Sequence, residues 1–454
     1  MSPETLESRL TKWVSPIEML RNGPSRRFRF PYPDQYTTWQ DEQTAWRKSA
    51  VFFDQSHHMT DVYLKGPDVR RLLERTATNS FRTFGRDKAK HMVVCNDDGN
   101  MIGTCVLFGL EHDEVNLVGP VGAANWVQYQ AEIGGYDVEV RRDERSSGWA
   151  AQDHRLTYRY EIEGPHAWSV LEKAVGEAIA RVPFFAMTDF TISGHRVRAL
   201  SHTMAGAPGA DSMGLEIFGP AADGPAVRDA ILAAGDEYDL VMGGALAYYT
   251  GGAESGYAGQ PTPAIYTGTD LKAYREWLPA DGYEGGLSLG GSYRSASVED
   301  YYVSPYEFGY DHLVKFDHDF IGREALQQAA TRPGRTKVWL RWNDDDVARV
   351  YASSLFDRDR RAKYLDTPLA RYSRVHTDAV LVDDQHVGIS THGAYTVNIG
   401  SWMSVGFVDE EHAKDGTEVS ILWGEESGGT AKLTVEEHAQ ATIRAMVSTR
   451  SLVT

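Results

Sequence analysis

The segment LAYYTGGAESGY, residues 246–257, sets two phenols side by side, Tyr248 and Tyr249, then small residues, Glu254 and a third phenol, Tyr257. A phenol is a weak acid with a pKa of about 10. It suits a reaction whose leaving group is an oxide of similar basicity, because the proton exchange is then nearly balanced. A positioned general acid contributes about 10²–10⁴ in rate. Read as a strand, the segment turns Tyr248 and Tyr249 to opposite sides, so only one serves a site. The residues alone leave open which phenol that is, and Glu254 reads as a loop anchor. A second group lies in VFFDQSHHM, where Gln55 precedes the adjacent pair His57 and His58. In an extended segment one histidine of the pair faces a given side. A third is Glu216 in GLEIFGP, an acid between the apolar Leu215 and Ile217 that can take two N–H donors at once. No cysteine or carboxylate cluster with ligand spacing surrounds the histidines, so no metal site is expected.

These groups need elements to hold them. Residues 38–50 have helical spacing, and the second half of VFFDQSHHMTDVYLKGP alternates as a strand that ends at Gly66-Pro67. KHMVVCNDDGNMIGTCVLFGL predicts a hairpin, and EVNLVGPVGAANWVQYQAEIGGYDVEV a strand, glycine loop, helix and strand. Asn125 and Trp126 fall near the start of that helix, where an N-terminus favours anions. The same grammar returns over 155–243, which predicts two α+β units in tandem. After TRPGRTKV the segments KVWLRW, AVLVDD, HVGISTHGAYT, WMSVGFVD, TEVSILWG and TAKLTVEE predict a small antiparallel barrel.

With 454 residues the chain is too long for one ordinary core. A formal net charge of −18 argues against a broad face for nucleic acid or an anionic membrane. Two cysteines, Cys95 and Cys105, imply no disulfide framework and fit a reducing cytoplasm. The N-terminus lacks the apolar core of a signal peptide, and no apolar run of about 18 residues exists to span a membrane.

AVFFDQSHHM, EVNLVGPVGAANW, GLEIFGP, FIGREAL and HVGISTHGAYT stand in the order found in the aminomethyltransferase family, that of the glycine cleavage T-protein. EMLRN, MAGAPG, LKAYREWLPA, EDYYVSPYEFGY and VKFDHDFIGR narrow the resemblance to its tetrahydrofolate-dependent aryl O-demethylase branch, which includes enzymes for vanillate, 3-O-methylgallate and sesamin. The resemblance implies an α+β cloverleaf of three domains. Two α/β lobes (residues 1–330, interleaved and folate-binding) and a C-terminal antiparallel β-barrel (residues 331–454) surround a central folate channel.

The resemblance also implies roles. Tetrahydrofolate is the cofactor, with Glu216, Tyr257, Asn125, Trp126 and His91 as its neighbours. Tyr248 and His58 are the catalytic pair, which leaves Tyr249 to packing. Gln55, Phe30, Pro120 and His58 meet a small aromatic ether. Gly103 and Thr104 replace the acidic pair of T-proteins, so aminomethyl chemistry and a lipoyl carrier protein are not expected. Pro120 stands where the vanillate enzyme has an arginine, and Phe30 where it has a tyrosine. Because an unpaired buried carboxylate is costly, these changes predict a neutral, bulky substrate, unless Arg29 or Arg294 compensates. The leading expectation is removal of the methylene of a sesamin-like methylenedioxyphenyl lignan, giving a catechol and 5,10-methylene-tetrahydrofolate. The alternative is demethylation of a vanillate-, syringate- or guaiacol-type methyl ether, giving 5-methyl-tetrahydrofolate. A non-catalytic folate-binding protein is the second alternative.

Overall fold

The computed structural model describes residues 4–23, 32–146, 155–203, 214–258, 261–332 and 334–453. Three sheets organise them. The first has five strands in the order Ala89–Cys95, Met101–Gly109, Glu114–Gly119, Thr60–Lys65 and Glu139–Asp143. The expected hairpin and strand–helix–strand are both here, with the helix Val121–Ile133.

The second sheet has six strands, in the order Leu240–Met242, Ala50–Asp54, Thr157–Glu163, Gly214–Pro220, His195–Ser201 and Met187–Ile192. It corrects the tandem reading. Ala50–Asp54 precedes the first sheet in sequence, yet pairs antiparallel to Thr157–Glu163 and parallel to Leu240–Met242 in the second. Residues Gln55–Met59 therefore cross between the sheets. Asn116 donates to Asp61 at 2.7 Å, and Arg155 and Arg159 reach back to Asp61 from the second lobe, so charge pairs as well as chain join the lobes.

The third sheet closes on itself: Val375–Val382, Gln385–Thr396, Ser401–Asp409, Arg335–Trp342, Ala441–Ser448 and Glu418–Trp423, with the last pairing back to the first. Trp342, Trp402 and Trp423 pack inside it, with Trp342 5.5 Å from Trp402. Five of the expected barrel segments are strands. TAKLTVEE is not: Leu433 is fully exposed there, and the chain closes the barrel with ATIRAMVS instead. Its inward residues Ile443, Ala445 and Val447 are buried at alternate positions.

Candidate active site

The segment that carries the two tyrosines is a helix, Ala245–Ser255, and not a strand. Its N-terminal N–H groups find partners far away in sequence. Gly244 N–H donates to the Glu42 carboxylate (2.8 Å), Ala245 N–H to the carbonyl of Pro33 (3.1 Å) and Leu246 N–H to that of Asp34 (3.0 Å). An acid at this end also complements the helix dipole. At the other end Gly256 has φ 73°, and a Cβ there would lie 2.2 Å from Trp339, so the stop needs glycine. Glu254 anchors the helix: it accepts from Trp46 Nε1 (3.0 Å), Asn398 Nδ2 (3.0 Å) and the Thr396 hydroxyl. Both tyrosines consequently face one cavity, which restores Tyr249 to the site.

That cavity has a volume of about 1640 Å³. Single-ligand sites occupy about 300–1,000 Å³, so there is room for a cofactor and a substrate together. His58 and Tyr248 meet in it, with His58 Nε2 2.8 Å from the Tyr248 oxygen. His58 Nδ1 lies 3.2 Å from the Gln55 carbonyl, which can only accept. Burial, reinforced by Arg155, Arg159 and Arg145, lowers the His58 pKa to about 3, so the ring is neutral. The pattern assigns its tautomer: Nδ1–H donates to Gln55, and the Nε2 lone pair accepts the Tyr248 proton. Burial first, then Tyr32 and Glu161, raise the Tyr248 pKa well above that of an ordinary phenol. Tyr248 is thus a full-time proton donor. Phe53 steadies its ring edge-on at 5.3 Å, and Gln55 Nε2 lies 3.5 Å from its oxygen.

Gln55 stands behind this pair and does not line the cavity; its Nε2 also reaches Glu161 Oε2 (3.3 Å). Arg159, Glu161 and Glu163 alternate along one strand and so share a face. Arg159 bridges Asp61 (2.8 Å) and Glu216, all three buried. Glu216 therefore sits one layer behind the cavity wall, held by a guanidinium, while Glu163 and His202 reach the wall itself. Burial, then Glu163 and Glu216, push the Glu161 carboxyl up. Glu161 Oε1 and His202 Nδ1, 3.7 Å apart, are buried without a hydrogen-bond partner among the described residues. Glu163 and His202, which do line the cavity, can accept from the amino and ring N–H groups of a pterin, and Phe184, Phe185 and Tyr310 add flat apolar surface to the same cavity. Tetrahydrofolate fits the residues present.

His91, Tyr257, Pro120 and Thr104 also line the cavity. His91 lies between Tyr310 (4.7 Å) and Tyr257 (6.2 Å), and burial lowers its pKa to about 4. Asn125 and Trp126 do not line it. Asn125 is held by the Glu284 carboxylate (2.9 Å) and accepts from Arg142, whereas Trp126 packs edge-on against Tyr274 at 4.9 Å. Both face the far side of their helix, into the core of the first lobe. His57 turns away to Ser146. Phe30 and Arg29, with MAGAPG, lie outside the described residues. Arg294 pairs with Glu426 and is absent from the cavity wall. Arg145, Arg371 and Arg374 do line it, and sequence reasoning missed all three. The cavity wall therefore carries cations as well as the carboxylates of Asp34, Glu163 and Asp366. Arg145 directly follows Glu144 of the charged run RRDERSS, which reads locally as a solvated turn.

The fold is that of the T-protein. The glycine cleavage aminomethyltransferase T of Bartonella henselae superposes with a TM-score of 0.61 over 96% of both chains at 16% identity. The GCVT N-terminal domain family matches residues 25–262. The chain is 40% identical to the syringate O-demethylase of Sphingobium sp. (strain NBRC 103272 / SYK-6) over 98% of its length and 95% of that protein. It is 32% identical to the sesamin methylene transferase of Sinomonas sp. (strain No.22), over 81% of this chain and 80% of that one. The chain belongs to the GCVT aminomethyltransferase family, and it is a tetrahydrofolate-dependent one-carbon transferase.

Proposed function

We propose that the protein is an aryl methyl-ether O-demethylase, which moves the methyl of a methoxyarene to tetrahydrofolate and releases the phenol. The observation that carries this reading is the Tyr248–His58 contact at 2.8 Å inside a cavity with room for two ligands. Methylene removal from a lignan, the leading expectation from sequence, is the weaker reading. The methylene transferase is the more distant of the two relatives, at 32% against 40% identity. Arg145 also weighs against a neutral pocket, because it lines the cavity and its charge is felt at His58.

Tetrahydrofolate, when bound, supplies the N5 lone pair that accepts the methyl. The chain's residues manage the other bond. As the methyl–oxygen bond breaks, the ether oxygen takes the electron pair and needs a proton. Tyr248 points an O–H into the cavity and can turn it from His58 Nε2 to that oxygen. The exchange is nearly balanced, because donor and product are both phenols. Overall the reaction conserves protons: an N–H is lost from the acceptor and an O–H is gained by the arene, so Tyr248 needs only to be reprotonated. His58, neutral and fixed by Gln55, holds the phenol in place between turnovers. Orientation of donor and acceptor supplies much of the remaining rate.

Glu163 and His202 form the wall for the pterin, with Glu161 behind them and Glu216 fixing Arg159. Arg145 takes a carboxylate on the arene, in the role that Pro120 cannot fill. The donor is a free small molecule, so no lipoyl carrier takes part, and the buried free thiols Cys95 and Cys105 suit the cytoplasm. A competition between a methoxybenzoate and a methylenedioxyarene at equal concentration tests the choice. Faster consumption of the methoxybenzoate supports it, and preferential opening of the methylenedioxy ring refutes it.

A further inference from the structure

Lys337 lies on the barrel strand Arg335–Trp342, and its side chain reaches the cavity at the C-terminal end of the tyrosine helix. Its ammonium donates to the Gly256 carbonyl at 3.3 Å and stands 5.6 Å from the Trp339 ring and 5.9 Å from that of Tyr310. The stem runs past Gly309, where a Cβ would lie 3.1 Å from Lys337 Cε. Among the described residues this ammonium meets no carboxylate, and a lysine has three donors to place. Lys90 lines the same cavity, on the strand that carries His91, and likewise forms no ion pair among the described residues. His91 touches Tyr310 and Tyr257, which ties these groups to one end of the cavity. In a chain of net charge −18, two lysines without acidic partners at one cavity make a local positive field.

The position of that field selects its ligand. Tyr248 and Gly256 stand near opposite ends of the helix, roughly 12 Å apart along the axis at ~1.5 Å per residue. A carboxylate on a single benzene ring extends only part of that way from an ether oxygen at Tyr248. The p-aminobenzoyl arm of tetrahydrofolate separates N5 from the glutamate by a comparable length. We infer that Lys337, assisted by Lys90, binds the glutamate carboxylates of tetrahydrofolate and draws the cofactor in by its tail. This rests on the reading above, in which N5 meets the methyl beside Tyr248.

The test compares tetrahydrofolate with tetrahydropteroate, which keeps the ring and arm but lacks glutamate. The readout is the ratio of kcat/KM for the two acceptors, which does not depend on the fraction of active protein. The unmodified enzyme favours tetrahydrofolate about tenfold, as expected for a charge-assisted contact. Lys337→Met brings the ratio towards one, Lys90→Met lowers it, and Lys337→Arg keeps most of it. An unchanged ratio in Lys337→Met overturns the assignment. So does a rise in KM for the arene alone, which would give the lysine to the aryl carboxylate. Turnover with neither acceptor overturns the folate reading, and this assignment with it.

Discussion

Tyr248 donates its phenolic proton to Nε2 of His58 across 2.8 Å, and His58 is fixed in the accepting tautomer by the Gln55 carbonyl at 3.2 Å. Two elements distant in sequence, the crossing after Ala50–Asp54 and the helix Ala245–Ser255, meet to make this contact. Removing the hydroxyl should remove the acid and leave the walls intact. Tyr248→Phe is expected to lower kcat by about 10²–10⁴, with the dissociation constant for tetrahydrofolate little changed. Near-normal kcat would take the acid role from Tyr248.

In the proposed reaction Arg145, which lines the cavity, pairs with a carboxylate on the arene. Arg145→Ala should raise KM for a methoxybenzoate about tenfold and leave KM for guaiacol, which has no carboxylate, unchanged. Equal effects on both substrates would mean that Arg145 shapes the cavity and does not read charge.

Arg159 is the cation between two buried anions, Asp61 and Glu216. Arg159→Met should leave both carboxylates buried without it, at a cost of about 3–5 kcal/mol. Calorimetry should show a clearly lower Tm. An unchanged Tm would mean that the pair is dispensable for stability.

His91 is buried and neutral, with its pKa lowered from 6.5 to about 4. Between those values the unfolded chain binds the proton that the folded chain excludes, so this residue makes stability fall as pH falls through that window. His91→Asn lacks the effect. Its Tm relative to the parent should rise as pH drops from 6.5 towards 4, and a pH-independent difference would contradict the buried, neutral state.

Much of the fold was legible, because hairpins and strand–helix units are local patterns. The barrel's last strand was misplaced because TAKLTVEE and ATIRAMVS alternate equally well, and only closure of the sheet chooses between them. The tyrosine helix was read as a strand for a physical reason. Its aromatic and glycine-rich sequence has little helical signal, and its start is satisfied by Glu42, Pro33 and Asp34, some two hundred residues away. Tyr248 and His58, which the family's motifs single out, meet in the cavity. Arg145 and Lys337 were not, since each looks like an ordinary surface charge until the lobes and barrel enclose them. Asn125 and Trp126 failed because helix phase, and not nearness to the glycine loop, decides which side a residue faces.

The central claim is that an intact methyl group moves from an aryl ether to the folate. A methoxybenzoate carrying a trideuteromethyl ether, incubated with tetrahydrofolate and enzyme, tests it by mass spectrometry of the folate product. The account predicts 5-methyl-tetrahydrofolate that retains all three deuterons, together with the free phenol. A folate product that has lost deuterium, or a phenol formed without methylated folate, would contradict it.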